Sequence, residues 1–208
     1  MSKLLLLAGF SSLLFSSCMS VPMSMVIDPV ASKKIAAPLP NPPVPVKTYI
    51  SGDVSWGGKP APFFTKGYFK DRLTNSLNTI PGFVTTKESE AQLVIHVSRN
   101  NKADSSEMNS KMRRVIAKES AGEAISNKYD HFFKIAGNGK EWSGNVAHGL
   151  YMVVGDPSAP GVVGPIYNAT TRPDGGGVNF TELIKGEEAM VREILISALD
   201  QAKKKGCF

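Results

Sequence analysis

The sequence predicts an α/β (α+β) fold, a two-layer sandwich in which a mixed β-sheet carries two or three helices packed on one face. Three patterns lead to it. Residues 46–55 alternate Val46, Thr48 and Ile50 with Lys47, Tyr49 and Ser51, the period of a half-buried strand. Phe69, Leu73, Leu77 and Ile80 then recur at helical spacing. Glu187 to Lys205 repeats that spacing with Val191, Ile194, Leu195, Ala198, Leu199 and Ala202.

The elements follow in order. Gly57-Gly58-Lys59-Pro60 ends the first strand, and the helix through Leu73 stops at Pro81-Gly82, where proline removes a donor and glycine permits the turn. Phe83 to Thr86 forms a short strand. Leu93, Ile95 and Val97 alternate with Val94, His96 and Ser98 in the next one, so strand, helix and strand form a crossover unit. Met108 to Asn127 reads as a helix that Ser120 to Gly122 interrupts. Tyr129 to Ala136 and Glu141 to Val154 read as a hairpin, since Asn138-Gly139 supplies the positive φ angles of a tight turn. Residues 155–177 are rich in glycine and proline, which predicts a loop with at most a short edge strand. The last helix carries Glu187 and Glu188 at its start and Lys203 to Lys205 at its end, matching the helix dipole. Leu73, Leu77, Leu93, Ile95, Ile194, Leu195 and Leu199 are the expected core.

The 208 residues divide into three parts: 1–17 as a signal segment, 18–46 as a proline-rich tether and 47–208 as a single globular domain. Lys3 precedes an apolar run from Leu4 to Phe15 that is too short for a membrane span of about twenty residues. Between Met19 and Val46 seven prolines and little hydrophobic periodicity argue against a packed segment. Residues 37–46 read as a polyproline spacer about 30 Å long at about 3.1 Å per residue.

Leu14-Phe15-Ser16-Ser17-Cys18 resembles the signal of bacterial lipoproteins. The resemblance implies that Cys18 is lipidated, cleaved at its amino side and acylated, giving a membrane anchor. Phe15 stands where that signal usually has leucine. Met19 and Ser20 lack the aspartate that commonly retains such proteins in the inner membrane, which implies the outer membrane, facing the periplasm. An ordinary secretory signal cut elsewhere would leave Cys18 incidental.

Residues 46–98, with Pro81-Gly82-Phe83 and Glu90-Ala91-Gln92-Leu93-Val94-Ile95-His96-Val97, are similar in architecture to small envelope lipoproteins. These include the lipopolysaccharide-assembly lipoprotein, penicillin-binding-protein activator lipoproteins and the conjugative surface-exclusion lipoprotein. The pattern is one of architecture, so no functional residue is carried across.

Chemistry-bearing motifs are sparse. His96, His131 and His148 lie on predicted strands without metal-ligand spacing, and all three are expected on solvent-facing positions. G-x-S-x-G, S-x-x-K and the phosphate loop are absent. Cys207 follows a lysine run in a tail expected to fray, which predicts a free thiol or an occasional intermolecular disulfide. No catalytic residue, metal site or cofactor is therefore expected. Removing residues 1–17 takes away Lys3 alone and leaves 23 basic and 18 acidic side chains, a mild balance with its densest patch at Lys111, Arg113, Arg114 and Lys118. That patch lacks interleaved aromatics, so nucleic acid is not an expected partner. The expected role is a non-catalytic binding or accessory subunit of the envelope, with a protein, glycan or lipid partner. The glycine-rich loop bearing Asp156, Pro157, Arg172 and Asp174 is the candidate partner-binding segment. An exported hydrolase with an unfamiliar active site is the alternative.

Overall fold

The computed structural model describes residues 23–27, 29–56, 59–60, 63–101, 105–117, 121–156, 166–171, 178–179 and 181–208. Nine strands and four α-helices are found among them: β1 Met23–Ile27, α1 Pro29–Ile35, β2 Val46–Trp56, β3 Lys59–Pro60, α2 Phe63–Asn78, β4 Phe83–Thr85, β5 Leu93–Asn101, α3 Ser105–Ile116, β6 Gly122–Gly137, β7 Lys140–Gly155, β8 Ile166–Thr171, β9 Val178–Asn179 and α4 Thr181–Lys205. The strands are ordered β3-β2-β5-β6-β7-β1-β8-β9, with β4 beside β2. Pairing of β2 with β4 and β5 is parallel and every other pairing is antiparallel, so the sheet is mixed as predicted.

Alternation decides which side chains enter the core. From β2 to β7 the inward row runs Ile50, Ile95, Ile135, Trp142, and the next row Gly52, Val97, Phe133, Gly144. Helices α2 and α4 pack side by side on this face. α2 contributes Phe69, Leu73 and Leu77, and α4 contributes Met190, Val191, Ile194, Leu195, Ala198, Leu199 and Ala202, all buried. Each set follows the 3.6-residue period, which is why the sequence marks both helices so clearly. The seven predicted core residues are all fully buried. The chain leaves α2 through Gly82, whose φ of 84° lies in the left-handed region that glycine favours.

Val153 of β7 points away from that core by alternation, yet it too is buried. Because α3 packs on β6 and β7, it covers this opposite face. The segment predicted as a helix from Met108 to Asn127 is therefore two elements. α3 ends at Ile116, and residues from Gly122 onward are drawn into β6 by their pairing with Gly149–Gly155. The hairpin is sixteen residues on each side, joined by Asn138 (φ 50°) and Gly139 (φ 68°), the turn that its sequence predicts.

The proline-rich tether requires correction. β1 is embedded in the sheet, with Met23 opposite both Val154 of β7 and Ala169 of β8. α1 packs on β7 and α4. Residues 37–46 lie against the domain: Pro40 is buried, Ala37 packs on the core, and the Val46 amide donates to the Gly82 carbonyl at 2.9 Å. This segment is a wrapped part of the fold and not a free spacer. The glycine-rich stretch likewise contains more order than predicted, since β8 is held between β1 and β9 and is no edge strand. No helix among the described residues is long and apolar enough to cross a membrane.

Candidate functional site

The inward face of the β6–β7 hairpin holds two histidines. Lys134 faces out and Phe133 and Ile135 are fully buried, so two-residue alternation turns His131 inward with them. His131 lies opposite Val146, and His148 is two residues further along β7 on the same face. Both are buried, which overturns their expected place on the solvent side. The outward position of Lys134 was the signal that fixed the phase of β6.

His131 sits beneath α2. Its ring centroid is 6.1 Å from that of Phe69, over whose ring the Arg99 guanidinium lies at 5.4 Å. Arg99 is opposite His131 in the β5–β6 ladder and forms an ion pair with Glu187 of α4. Burial, then the positive Arg99, then His148 hold the imidazole well below its ordinary pKa, so His131 is neutral at pH 7.

His148 marks the junction of β7, α1 and α4. Its Nε2 is 3.1 Å from Glu193 Oε2 and 3.4 Å from Ser32 Oγ. Burial pushes the Glu193 carboxyl up. The hydrogen bonds from His148 and Ser32, with the positive charge near His148 and Arg192, outweigh this and bring it below its ordinary value. A cleft of about 340 Å³ opens here between α1 and α4, lined by Ser32, Lys33, Ile35, Glu193 and Ile196 among others.

Serine, histidine and carboxylate are the residue types of a nucleophile relay, but their arrangement here differs from one. In such a relay the acid holds one ring nitrogen while the other faces the serine. Here Ser32 and Glu193 both meet Nε2. The arrangement instead fastens α1 to the sheet and to α4.

His96 remains on the outward face, as predicted, and is half-exposed. Ser51 Oγ is 3.0 Å from its Nδ1, while Asp53 Oδ2 and Ser98 Oγ are each 3.4 Å from Nε2. Both nitrogens are engaged by different groups, but the cluster lies on an open ladder in which Ser51 faces His96. Ser51, Asp53 and His96 come from the adjacent strands β2 and β5, on the outward face of the sheet. No group of three or more potential metal-ligating side chains occurs among the described residues.

Cys207 is fully buried in the core, contrary to the expected fraying tail. Its amide donates to Ala202 O at 3.0 Å, and its Sγ is 3.8 Å from Ile135 O. Gly137 makes this approach possible, since a Cβ there would come within 2.5 Å of Cys207 O. Burial raises the thiol pKa, which opposes both thiolate reactivity and intermolecular disulfide formation.

Of the candidate partner-loop residues, Asp156 is exposed at the end of β7, where its amide donates to Ala121 O at 2.8 Å. Pro157, Arg172 and Asp174 lie outside the described residues, as does Cys18. In the basic patch Arg113 and Arg114 are exposed on α3 and Lys111 is half-exposed; Lys118 is outside the described residues.

No family model matches the chain. No curated protein does either. Among solved structures, the chain is similar to an uncharacterized protein at 8% identity, covering 78% of this chain and 95% of the other, with a TM-score of 0.33. It is also similar to the hypothetical protein CT253 from Chlamydia trachomatis, at 8% identity over 77% and 97% of the two chains, with a TM-score of 0.31. A neuraminyllactose-binding hemagglutinin homolog from Helicobacter pylori is similar at 9% identity over 81% and 87%, with a TM-score of 0.30. Scores of this size establish neither a shared fold nor a shared function.

Proposed function

We propose that this protein is an exported lipoprotein, anchored through acyl chains on Cys18 in the outer membrane facing the periplasm, and that it acts as a non-catalytic binding or accessory subunit of the envelope. The observation that carries the proposal is the amino-terminal layout: Lys3, the Leu4 to Phe15 apolar run, and Ser16-Ser17-Cys18. A thiol alkylated by a lipid donor becomes a stable thioether. Each buried CH₂ then adds about 0.8 kcal/mol of membrane affinity, so several acyl chains make a durable anchor.

The binding role is supported by what the histidines do. His148 holds α1 in place, His131 is a neutral buried ring, and His96 sits on an open sheet face. Among the described residues, Ser32 and Glu193 meet the same nitrogen of His148, which supports a fastening role there over a nucleophile relay. A partner would be an envelope protein, a glycan or a lipid.

Detergent phase separation of expressing cells tests the anchor. Wild-type protein should enter the detergent phase and Cys18→Ser the aqueous phase; equal partitioning refutes lipidation. Hydrolysis of an envelope ester or glycan by the purified protein, abolished in His148→Ala, would refute the non-catalytic role.

A further inference from the structure

The position of β1 fixes how far the domain can stand from its anchor. Only residues 19–22 separate Cys18 from Met23, and a chain of five residue steps spans at most about 18 Å. Met23 is clamped on both sides, by Val154 of β7 and Ala169 of β8, so this end of the sheet cannot swing away without breaking two ladders.

The same end carries a basic helix. Gly122 pairs with Gly155, one residue beyond the Val154 position opposite Met23. Val115 of α3 lies against Gly155, where an added Cβ would come within 3.0 Å of Val115 Cγ1. The carboxyl-terminal half of α3 therefore sits beside the point where the anchored segment enters the fold. Residues 107–119 contain Lys111, Arg113, Arg114 and Lys118 between the two acids Glu107 and Glu119, a balance of four basic to two acidic side chains, and Asp156 is exposed at the same sheet end. The Asn138-Gly139 turn, the proline-rich wrap and the buried Cys207 tail all lie toward the opposite end.

We propose that the sheet end bearing Met23, Val154 and the carboxyl-terminal half of α3 rests on the bilayer, with Arg113 and Arg114 against anionic lipid headgroups and the β6–β7 turn pointing away. The inference builds on the Cys18 anchor described above. The acyl chains supply one membrane signal and the basic helix a second; two together give stable, oriented attachment. At full stretch the tether holds Met23 about two Debye lengths, each about 8 Å at physiological salt, from the headgroups, where the attraction is largely screened. The attraction acts when the tether is slack and α3 lies within about one Debye length of the surface, a distance that the short anchor keeps within reach.

Depth-dependent fluorescence quenching tests this. Full-length acylated protein, with its acyl mass verified, is placed in vesicles of phosphatidylcholine containing phosphatidylglycerol. The fluorophore is carried by Ala117→Cys, an exposed position after α3, or by Ser143→Cys, and the quencher by the lipid headgroups. Ser143 lies twelve residues before Gly155 on β7, about 40 Å along the strand. Strong quenching at 117 and several-fold weaker quenching at 143 is the expected result. Arg113→Glu with Arg114→Glu should lower quenching at 117 while leaving circular dichroism unchanged. Equal quenching at both positions, stronger quenching at 143, or quenching at 117 that ignores both phosphatidylglycerol and the charge reversal overturns the orientation. An unmodified Cys18 in the starting mass overturns the anchor itself, and is read before any quenching.

Discussion

His131 offers a sharp thermodynamic test of the fold. It is fully buried, faces Arg99 across the β5–β6 ladder and has His148 on the same face of the hairpin, so protonation in the native state is opposed by burial and by two basic neighbours. Unfolded, the ring regains an ordinary pKa of about 6.5. As pH falls through that value the unfolded chain takes up a proton that the native chain does not, so stability is full above it and is lost on the acid side. The slope for one such proton is 1.36 kcal/mol per pH unit. Integrated from pH 7.5 to 5.5, the loss is about 1.4 kcal/mol while the native ring stays neutral, or roughly 3–6 °C in Tm for a chain of this size. His131→Gln does not titrate and should lack this component. The assay is urea denaturation at the two pH values for both proteins, in a range above the titration of carboxylates. Identical acid losses in wild type and His131→Gln would refute the buried neutral ring.

Leu195→Ala, at a fully buried position of α4, should cost about 2–5 kcal/mol in urea denaturation, whereas a Tm within 1–2 °C of wild type would mean that α4 does not line the core. Cys207 should resist a thiol reagent under native conditions and react once denaturant is added; prompt native labelling would contradict its burial against Ile135.

Much of the architecture is legible in local pattern. Helices α2 and α4 announce themselves because one stripe of each is apolar at every turn, and the hairpin turn because Asn138-Gly139 suits few other conformations. What escapes local reading depends on distant partners. Met23–Ile27 lies among prolines and becomes a strand only because Val154 and Ala169, more than 120 residues away, meet it on either side. β8 becomes interior for the same reason, and the start of β6 exchanges a helical pattern for pairing with β7. Cys207 is buried because Gly137 leaves room for its backbone. The inward phase of His131 could be read from Lys134. The junction of His148 with Ser32 and Glu193 could not, since the three meet from separate elements. Cys18, the residue on which the proposed role turns, is legible from its signal alone.

The mass of the mature amino-terminal peptide, from protein purified out of its own membranes, tests the central claim most directly. A first residue at Cys18 carrying a diacylglyceryl thioether and an acylated amine is the predicted result. An unmodified Cys18, or a mature chain that starts downstream of it, would contradict the lipoprotein assignment and the membrane-facing orientation derived from it.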